Sequence, residues 1–274
     1  MKDNIFTIIT IVFNDVLHIK KTIMSVLSQN CSIIEYIIVD GCSTDGTVEI
    51  IKKLRPQIER KCKKFVFITE PDKGISDAFN KGINHASGDI IGLINSGDGL
   101  IPDTINFLNG KITEEDDIVY GKTLAVDEKF GLEYLREIPS NVDMSKVKYN
   151  GLCFTHQSAF VKKRIYDMYG MYDLNYRYIM DTDLFIRFYE SGVKFRYIDS
   201  VLVSMLCGGI SSYNTKKIVE EKIRLSKKYN GASAIKIWIE YYKEKPIVFI
   251  KNLIRRYPEV FYKLIGEERR WHIE

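Results

Sequence analysis

The sequence predicts an α/β fold in which a mostly parallel central sheet is flanked by helices and followed by a C-terminal helical extension. Short apolar runs alternate with amphipathic helical patterns through the first hundred residues, as in βαβ units with right-handed crossovers. The 274 residues are 45% hydrophobic, which is enough for one large core. After Gly208 the patterns become almost entirely helical and the chain becomes basic.

The predicted elements follow from apolar periodicity and from turn residues. In the first hundred residues we expect strands at Phe6–Phe13, Ile33–Val39, Phe65–Ile68 and Ile90–Ile94, and helices at Val16–Gln29, Thr47–Arg55 and Ile75–His85. Beyond them we expect strands near Asp117–Lys122, Tyr134–Ile138 and Lys194–Ser204, a segment Thr155–Val161, and helices at Lys162–Tyr169, Asp181–Ser191, Thr215–Tyr229, Ala232–Lys243 and Pro246–Leu264.

Composition excludes several classes of protein. The apolar run Ile5–Phe13 is too short for a membrane span and lacks the flanks of a signal peptide, so it predicts a strand and a cytoplasmic protein. The five cysteines are widely spaced and include no C-x-x-C pair. This pattern fits reduced thiols and argues against a zinc site or a disulfide framework.

Polar residues, a glycine and one aromatic residue stand where the first four predicted strands end. They are Phe13 and Asn14, then Asp40 and Ser43, then Asp72, Lys73 and Gly74, and then Asn95, Ser96 and Asp98. Ligands of parallel α/β sheets bind at the carboxyl ends of the strands, so the four loops predict one binding edge. Each loop taken alone could be only a polar turn.

Neither common phosphate-binding loop is present. No G-x-G-x-x-G follows the first strand, and no G-x-x-x-x-G-K-[ST] occurs, so a nucleotide must be held differently. Asp40, at the end of an apolar strand, can accept hydrogen bonds from a base or ribose. The segment Ser43–Gly46 could instead be merely a capped turn.

An ordered set of sequence blocks resembles a known family. The blocks I-I-T-I-V-F-N, E-Y-I-I-V-D-G-C-S-T-D-G-T, E-P-D-K-G-I-S-D-A-F-N-K-G-I and A-S-G-D-I-I-G-L-I-N-S-G-D resemble the nucleotide-sugar half of family-2 glycosyltransferases. T-H-Q-S-A-F-V, M-D-T-D-L-F-I-R and G-G-I-S resemble motifs of the bacterial surface-polysaccharide branch, which makes O-antigen, capsule and exopolysaccharide. The resemblance covers roughly residues 5–212 and implies a GT-A fold with a Rossmann-like sheet.

The resemblance implies transfer of a sugar from a nucleotide-sugar, with UDP-sugar favoured, to a hydroxyl group with inversion. It also implies a divalent cation, Mn²⁺ or Mg²⁺, which neutralises the leaving diphosphate. Asp98 matches the metal-binding position, and a hard cation suits a carboxylate ligand. Related sequences usually carry an acid where this chain has Gly97, and that departure bears on metal affinity.

The block M-D-T-D-L-F-I-R matches the one in which the first acid is the usual base, so the resemblance assigns the base to Asp181. Asp183 is expected at the helix N-terminus as a supporting residue of the catalytic pair, because acids at i and i+2 point to different sides of a helix. Arg187, one turn later, is its expected ion-pair partner. Alternatively, both acids only favour the positive end of a helix.

The remaining site residues are carried over in the same way. Phe13, Asn14, Asp40 and Ser43 are expected around the nucleoside, and Asp72, Lys73, Gly74, Asn80, Asn95 and Ser96 near the ribose, diphosphate or donor sugar. His156 is expected on the acceptor or metal side, although it could be structural. Gly208 and Gly209 resemble a loop that closes over the donor, and they could equally form a plain turn.

The C-terminal region is basic and rich in aromatic residues. From residue 211 onward there are 15 Lys and Arg against 8 Asp and Glu, which leaves 25 against 28 before it. Amphipathic helices of this composition suit an anionic membrane surface. Packing on the catalytic domain or a homodimer contact is an equal alternative, whereas no nucleic-acid motif accompanies the charge.

We therefore expect a glycosyltransferase domain at 1–212, with a nucleotide-sugar-binding half at 1–100 and an acceptor-side half at 101–212, and a helical region at 213–274. Its expected acceptor is an undecaprenyl-diphosphate-linked saccharide at the cytoplasmic face of the inner membrane. Two alternatives remain open. One is a sugar-nucleotide nucleotidyltransferase, for which no triphosphate loop is evident, and the other is a non-catalytic nucleotide-sugar-binding relative.

Overall fold

The computed structural model describes residues 4–29, 32–129, 131–136, 138, 147, 151–208, 215–239 and 241–242. The predicted helix Pro246–Leu264 lies outside these residues. In the described part of the chain, no helix is both long enough and apolar enough to cross a bilayer.

Nine strands form one mixed sheet. The strands are β1 (Phe6–Val12), β2 (Ile34–Asp40), β3 (Lys64–Thr69), β4 (Ile90–Asn95), β5 (Gly99–Leu100), β6 (Ile118–Asp127), β7 (Leu132–Arg136), β8 (Ala159–Lys162) and β9 (Phe195–Leu206). Their order is β3-β2-β1-β4-β8-β6-β9-β5, and β7 pairs with β6. The first four strands are parallel, as predicted, whereas the second half adds mostly antiparallel pairs.

Seven α-helices have both ends within the described residues. They are α1 (Ile19–Leu27), α2 (Thr47–Lys61), α3 (Ile75–His85), α4 (Thr104–Asn109), α5 (Lys163–Tyr169), α6 (Met180–Glu190) and α7 (Thr215–Lys228). A 3₁₀ turn at His156–Ser158 precedes β8, and residues 234–239 are helical.

The core lies on both faces of the sheet. Every residue of β1 is buried, and its side chains alternate between two apolar clusters, so that Ile8 belongs to one and Ile9 to the other. A central strand covered on both faces has to be apolar along its whole length. This explains why the run Ile5–Phe13 is so uniform without being a membrane segment.

The predicted strands and helices of the first hundred residues all occur, most with ends that shift by one to three residues. The predicted second helix ends at Arg55, but α2 continues through Pro56 to Lys61. Sequence periodicity misses β5 and α4, because a two-residue strand and a six-residue helix are too short to show a period. The predicted strand Asp117–Lys122 is also shorter than β6. This strand continues to Asp127 because its far half pairs with both β7 and β9.

A buried carboxylate joins the first three strands at the end opposite the polar edge. Glu35 is 1% exposed, and it accepts hydrogen bonds from Thr7 Oγ1 at 2.5 Å, Lys64 Nζ at 2.5 Å and Ser87 N at 2.7 Å. Burial raises the pKa of Glu35, but the hydrogen bonds outweigh it and lower the pKa from 4.5 to about 2. The charged form is therefore the one that stabilises the fold.

The substitution Glu35→Gln should lower the free energy of unfolding at pH 7 by about 3 kcal/mol, because it leaves buried donors without their charged acceptor. A carboxylate with a lowered pKa stabilises the folded state above pH 4.5, and this contribution is lost as the pH falls toward about 2. Urea unfolding at pH 7 and pH 3 measures both effects.

The matched control is Glu59→Gln, whose carboxylate pairs with Arg55 at the surface and should contribute less than about 0.5 kcal/mol. Equal urea midpoints for the two variants at pH 7 would contradict the structural importance of Glu35.

Candidate active site

Asp40 ends β2 and lies at the polar edge of the sheet. Its Oδ2 accepts hydrogen bonds from Ser43 N at 3.1 Å and from Thr69 Oγ1 at 2.7 Å. Its Oδ1 is buried without a hydrogen-bond partner among the described residues. Because a buried polar atom normally has a partner, this oxygen is available to a ligand.

Asn14 links the loops that follow β1 and β2. Its backbone N–H donates to Ser43 Oγ at 2.8 Å, and its side-chain Oδ1 accepts from Thr44 N at 2.8 Å. Its φ of 49° lies in the left-handed region, which asparagine tolerates better than most residues. The predicted nucleoside residues Asn14 and Ser43 thus hold each other in place.

An exposed aromatic ring and an acid border Gly41. Phe13 is 63% exposed at the end of β1, which is unusual for a large apolar side chain beside a buried strand. A Cβ at Gly41 would lie 2.5 Å from Asp72 Oδ2 and 3.3 Å from Phe13 Cδ2. A side chain at Gly41 would therefore displace the Asp72 carboxylate, and Phe13 and Asp72 both lie against Gly41, the residue after Asp40.

Asp72 stabilises the loop that follows β3. Asp72 Oδ1 accepts from Gly74 N at 2.8 Å, and Gly74 has a φ of 116° that favours glycine. Lys73 is exposed. Asn80 exchanges two hydrogen bonds with the backbone of Tyr172. Its amide therefore ties α3 to the segment before α6, and its contact with a donor stays a prediction.

The turn after β4 buries Asp98, which is 4% exposed. Asp98 Oδ2 accepts from Gln157 Nε2 at 2.8 Å, and Oδ1 accepts from Leu206 N at 2.9 Å. Thr22 holds the turn from α1, since its Oγ1 donates to Asp98 O at 2.7 Å. Burial raises the pKa of Asp98 to about 6, against the effect of these hydrogen bonds.

Gly97 has a backbone conformation that disfavours the acid found in related sequences. Its φ is +93°, and a Cβ would lie 2.9 Å from Leu206 Cδ2. Its N–H donates to Thr22 Oγ1 at 2.9 Å. In this chain the turn is therefore built around glycine, which gives a structural reason for the departure seen in the sequence.

The surroundings of Asp98 fit a cation that takes most of its ligands from outside the protein. The carboxylate accepts from Gln157, from the N–H of Leu206 and from Asn95, and its two oxygens together offer about four acceptor positions, so acceptor capacity remains. Asn95 Oδ1 and Ser96 Oγ, in the same turn, are buried without partners in the described structure. The described residues contain no cluster of three or more acidic, histidine or cysteine side chains able to hold a metal. Phosphate oxygens and water would thus complete the coordination.

Gln157 and His156 connect Asp98 to α6. Gln157 binds Asp98, and its neighbour His156 places Nδ1 3.9 Å from Asp181 Oδ2. His156 Nε2 is buried without a partner among the described residues. Burial lowers the pKa of His156, and the charge of Asp181 opposes this shift. The predicted metal ligand and the predicted base are thereby brought to one site.

The two acids of α6 have different environments. The side chain of Asp181 is 27% exposed, so it can meet an acceptor. Asp183 is 0% exposed, and its Oδ1 accepts from Lys228 Nζ at 2.8 Å. Arg187 lies 3.5 Å from its Oδ2, so the expected ion pair is confirmed. Asp183 therefore supports the helix from the interior and does not face a substrate.

Several contacts of the site could not be assigned from sequence. Gln157 lies in the block T-H-Q, and this block could have marked it as a site residue. Thr22 and Lys228 lie in ordinary helical patterns that give no such indication. Gly208 is exposed with a φ of 105°, which suits a loop glycine. Gly209 lies outside the described residues, so the expected closing loop stays a prediction.

Comparisons with known proteins identify the family. The family model "Glycosyl transferase family 2" matches residues 7–170. A Mycobacterium tuberculosis "PGL/p-HBAD biosynthesis glycosyltransferase" is 26% identical over 247 residues, which cover 86% of this chain and 84% of that protein. An uncharacterised glycosyltransferase of the same species is 29% identical over 66% of this chain and 67% of its own length.

Solved structures show the same fold. The Staphylococcus aureus TarS 1-349 complex with UDP-GlcNAc has a TM-score of 0.64 at 18% identity and covers 80% of this chain. The Pyrobaculum calidifontis mannosyltransferase PcManGT with GDP-Man and Mn²⁺ has a TM-score of 0.65 at 14% identity and covers 92%. This chain spans 64% and 70% of those two chains.

The GT-A architecture predicted from the sequence is therefore confirmed. Because the family match covers more than half of the chain and includes all four loops of the polar edge, the chain belongs to glycosyl transferase family 2 and is a transferase.

Proposed function

We propose that the chain is an inverting, divalent-cation-dependent glycosyltransferase that uses a nucleotide-sugar donor, with UDP-sugar favoured. One observation carries the proposal. The carboxyl ends of β1, β2 and β4 and the start of α6 gather Asp40, Asp98, His156 and Asp181 at one edge, where several buried polar atoms lack partners in the described structure.

The first two strand ends suit the nucleoside. The ring of Phe13 is exposed beside Asp40 and can stack on a base. The free Oδ1 of Asp40 can accept a hydrogen bond from a base or ribose donor. TarS binds UDP-GlcNAc and PcManGT binds GDP-Man, which supports a nucleotide-sugar donor for this chain too.

The turn around Asp98 suits the diphosphate and its cation. A cation bound there would neutralise the charge that develops on the leaving diphosphate. Asp98 would hold the cation, while Gln157 and the N–H of Leu206 fix the carboxylate. Asn95 and Ser96 offer further polar atoms to donor or water.

Asp181 suits the base that accepts the proton of the attacking hydroxyl. It is partly exposed, whereas His156 beside it is almost completely buried. Single displacement with the acceptor on the face opposite the diphosphate leads to inversion. A positioned carboxylate contributes roughly 10²–10⁴-fold to such a step.

The acceptor proposed is a lipid-linked saccharide of bacterial surface-polysaccharide synthesis, met at the cytoplasmic face of the inner membrane. The start of the basic tail supports a surface role, since Ile235 and Tyr242 are largely exposed. Trp238 stacks on Tyr242 with ring centroids 5.9 Å apart, and aromatic groups of this kind favour the membrane–water interface. The same surface could form a homodimer contact.

The direct test is release of UDP from UDP-GlcNAc and other UDP-hexoses, and of GDP from GDP-mannose, with and without Mn²⁺ and with water as acceptor. We expect slow, Mn²⁺-dependent release from one of them. The variant Asp98→Asn should lose at least about 100-fold of this rate, because it removes the anionic ligand of the cation. Asp103→Asn, a surface substitution of the same type, is the control.

Wild-type release that is equal with Mn²⁺ and with chelator would contradict the assignment of Asp98. Formation of pyrophosphate from UTP and a sugar phosphate would instead support the nucleotidyltransferase alternative.

The variant Asp181→Asn should release UDP at least about 100-fold more slowly, because an amide cannot accept the proton. Its affinity for UDP, measured by calorimetry, should stay within about twofold, since Asp181 lies on the acceptor side. Turnover close to that of the wild type would place the base elsewhere.

Two substitutions at Gly97 separate backbone strain from metal binding. Both Gly97→Ala and Gly97→Asp should lower the free energy of unfolding by about 1–2 kcal/mol, because a side chain is strained at this positive φ. Only the aspartate adds a ligand, so it should bind Mn²⁺ more tightly than the alanine variant. Equal Mn²⁺ affinities would count against metal binding at this turn.

A further inference from the structure

Helices α6 and α7 both lie beyond the residues matched by the family model, and Lys228 of α7 binds Asp183 of α6, the helix that carries Asp181. We infer that Glu221 and Lys228 of α7 are positioning residues that fix the Asp181 carboxylate for proton transfer. The inference rests on the proposed role of Asp181 as the base.

Glu221 binds the backbone that leads into α6. Its side chain is only 9% exposed. Its Oε1 accepts from Arg177 N at 2.9 Å, and its Oε2 accepts from Tyr178 N at 2.9 Å and from Ile179 N at 3.2 Å. These amides directly precede the first turn, and α6 has no side-chain cap of its own at Ile179. A carboxylate from another helix therefore binds the backbone at the N-terminal, positive end of α6.

Lys228 binds the same helix from its buried side. Its Nζ donates to Asp183 Oδ1 at 2.8 Å, and the hydroxyl of Tyr229 donates to the same oxygen at 3.1 Å. Burial alone would lower the pKa of Lys228, but the Asp183 carboxylate outweighs it and raises the pKa. The lysine is thus charged at every pH at which the enzyme would work.

Asp181 lies between the two segments that the anchors bind. Glu221 fixes residues 177–179, and Lys228 fixes Asp183, so the backbone of Asp181 is held on both sides. The anchors are seven residues apart on α7, which is about 10 Å along its axis. Helix α7 supplies the carboxylate of Glu221 at one anchor and the ammonium group of Lys228 at the other.

The orientation of Asp181 needs external support. In its own helix it accepts from the adjacent Thr182 N at 2.7 Å, and His156 Nδ1 lies 3.9 Å away, beyond hydrogen-bond distance. A proton acceptor must lie within hydrogen-bond reach of the attacking hydroxyl, and a displacement of about 1 Å can cost about 100-fold in rate. The anchors on α7 supply the rigidity that Asp181 lacks locally.

The chain offers matched controls for both anchors. Glu220 is an exposed acid next to Glu221, and Lys222 is an exposed lysine on the same helix. The experiment compares Glu221→Gln with Glu220→Gln, and Lys228→Met with Lys222→Met. It measures UDP release with water as acceptor from the UDP-sugar that the wild type cleaves, expressed as kcat per UDP-binding site counted by calorimetry.

We expect Glu221→Gln and Lys228→Met to lower kcat at least tenfold, while the KM for the UDP-sugar and the Kd for UDP stay within about twofold. The two control variants should match the wild type. Lys228→Arg should recover most of the rate, because it restores the positive charge at Asp183. Counting only the UDP-binding sites keeps a loss of folded protein out of the comparison.

Equal kcat values for Glu221→Gln and Glu220→Gln would overturn the inference, and so would parallel losses of kcat and UDP affinity. If Asp181→Asn is inactive while Glu221→Gln and Lys228→Met are fully active, only this inference fails. If Asp181→Asn retains wild-type turnover, the proposed base fails, whatever the anchors do.

Discussion

The hydrogen bond from Gln157 to Asp98 is the interaction on which the site depends. Asp98 follows β4 in the parallel half of the sheet, whereas Gln157 precedes β8 in the antiparallel half, and β4 and β8 pair directly. The bond therefore joins the two halves at the polar edge. It holds a buried carboxylate in place, and His156, the residue before Gln157, lies beside Asp181. The parallel and antiparallel halves of the sheet thus share this hydrogen bond at the polar edge.

Burial explains both the strength of this arrangement and its chemistry. A buried polar atom without a partner is costly, yet the edge keeps Asp40 Oδ1, Asn95 Oδ1, Ser96 Oγ and His156 Nε2 in this state within the described structure. Their concentration where the strands end is typical of a site that a ligand completes. At the opposite end of the sheet the buried acid Glu35 is hydrogen-bonded through both of its oxygens.

Much of the fold was predictable from sequence, because buried parallel strands and amphipathic helices leave clear periods in the first hundred residues. The positions of Asp40, Asp98 and Asp181 were predictable for a related reason, since strand ends and helix starts are marked by local sequence. The partners of these acids were not. Gln157 and Thr22 reach Asp98 across 59 and 76 residues of chain, and Glu221 reaches the backbone that precedes Asp181 across 42 to 44 residues. No local sequence pattern predicts such contacts. Gly97 shows the same limit, because its positive φ depends on how the turn packs against Leu206.

The central claim is that the turn around Asp98 and the loops around Asp40 bind one nucleotide-sugar, with Asp181 on its acceptor side. The anomalous signal of Mn²⁺ in crystals grown with UDP tests this most directly. We predict a single manganese peak in direct coordination with the Asp98 carboxylate, with the uracil ring between Phe13 and Asp40. A manganese ion bound away from Asp98, or UDP bound at another surface, would contradict the account.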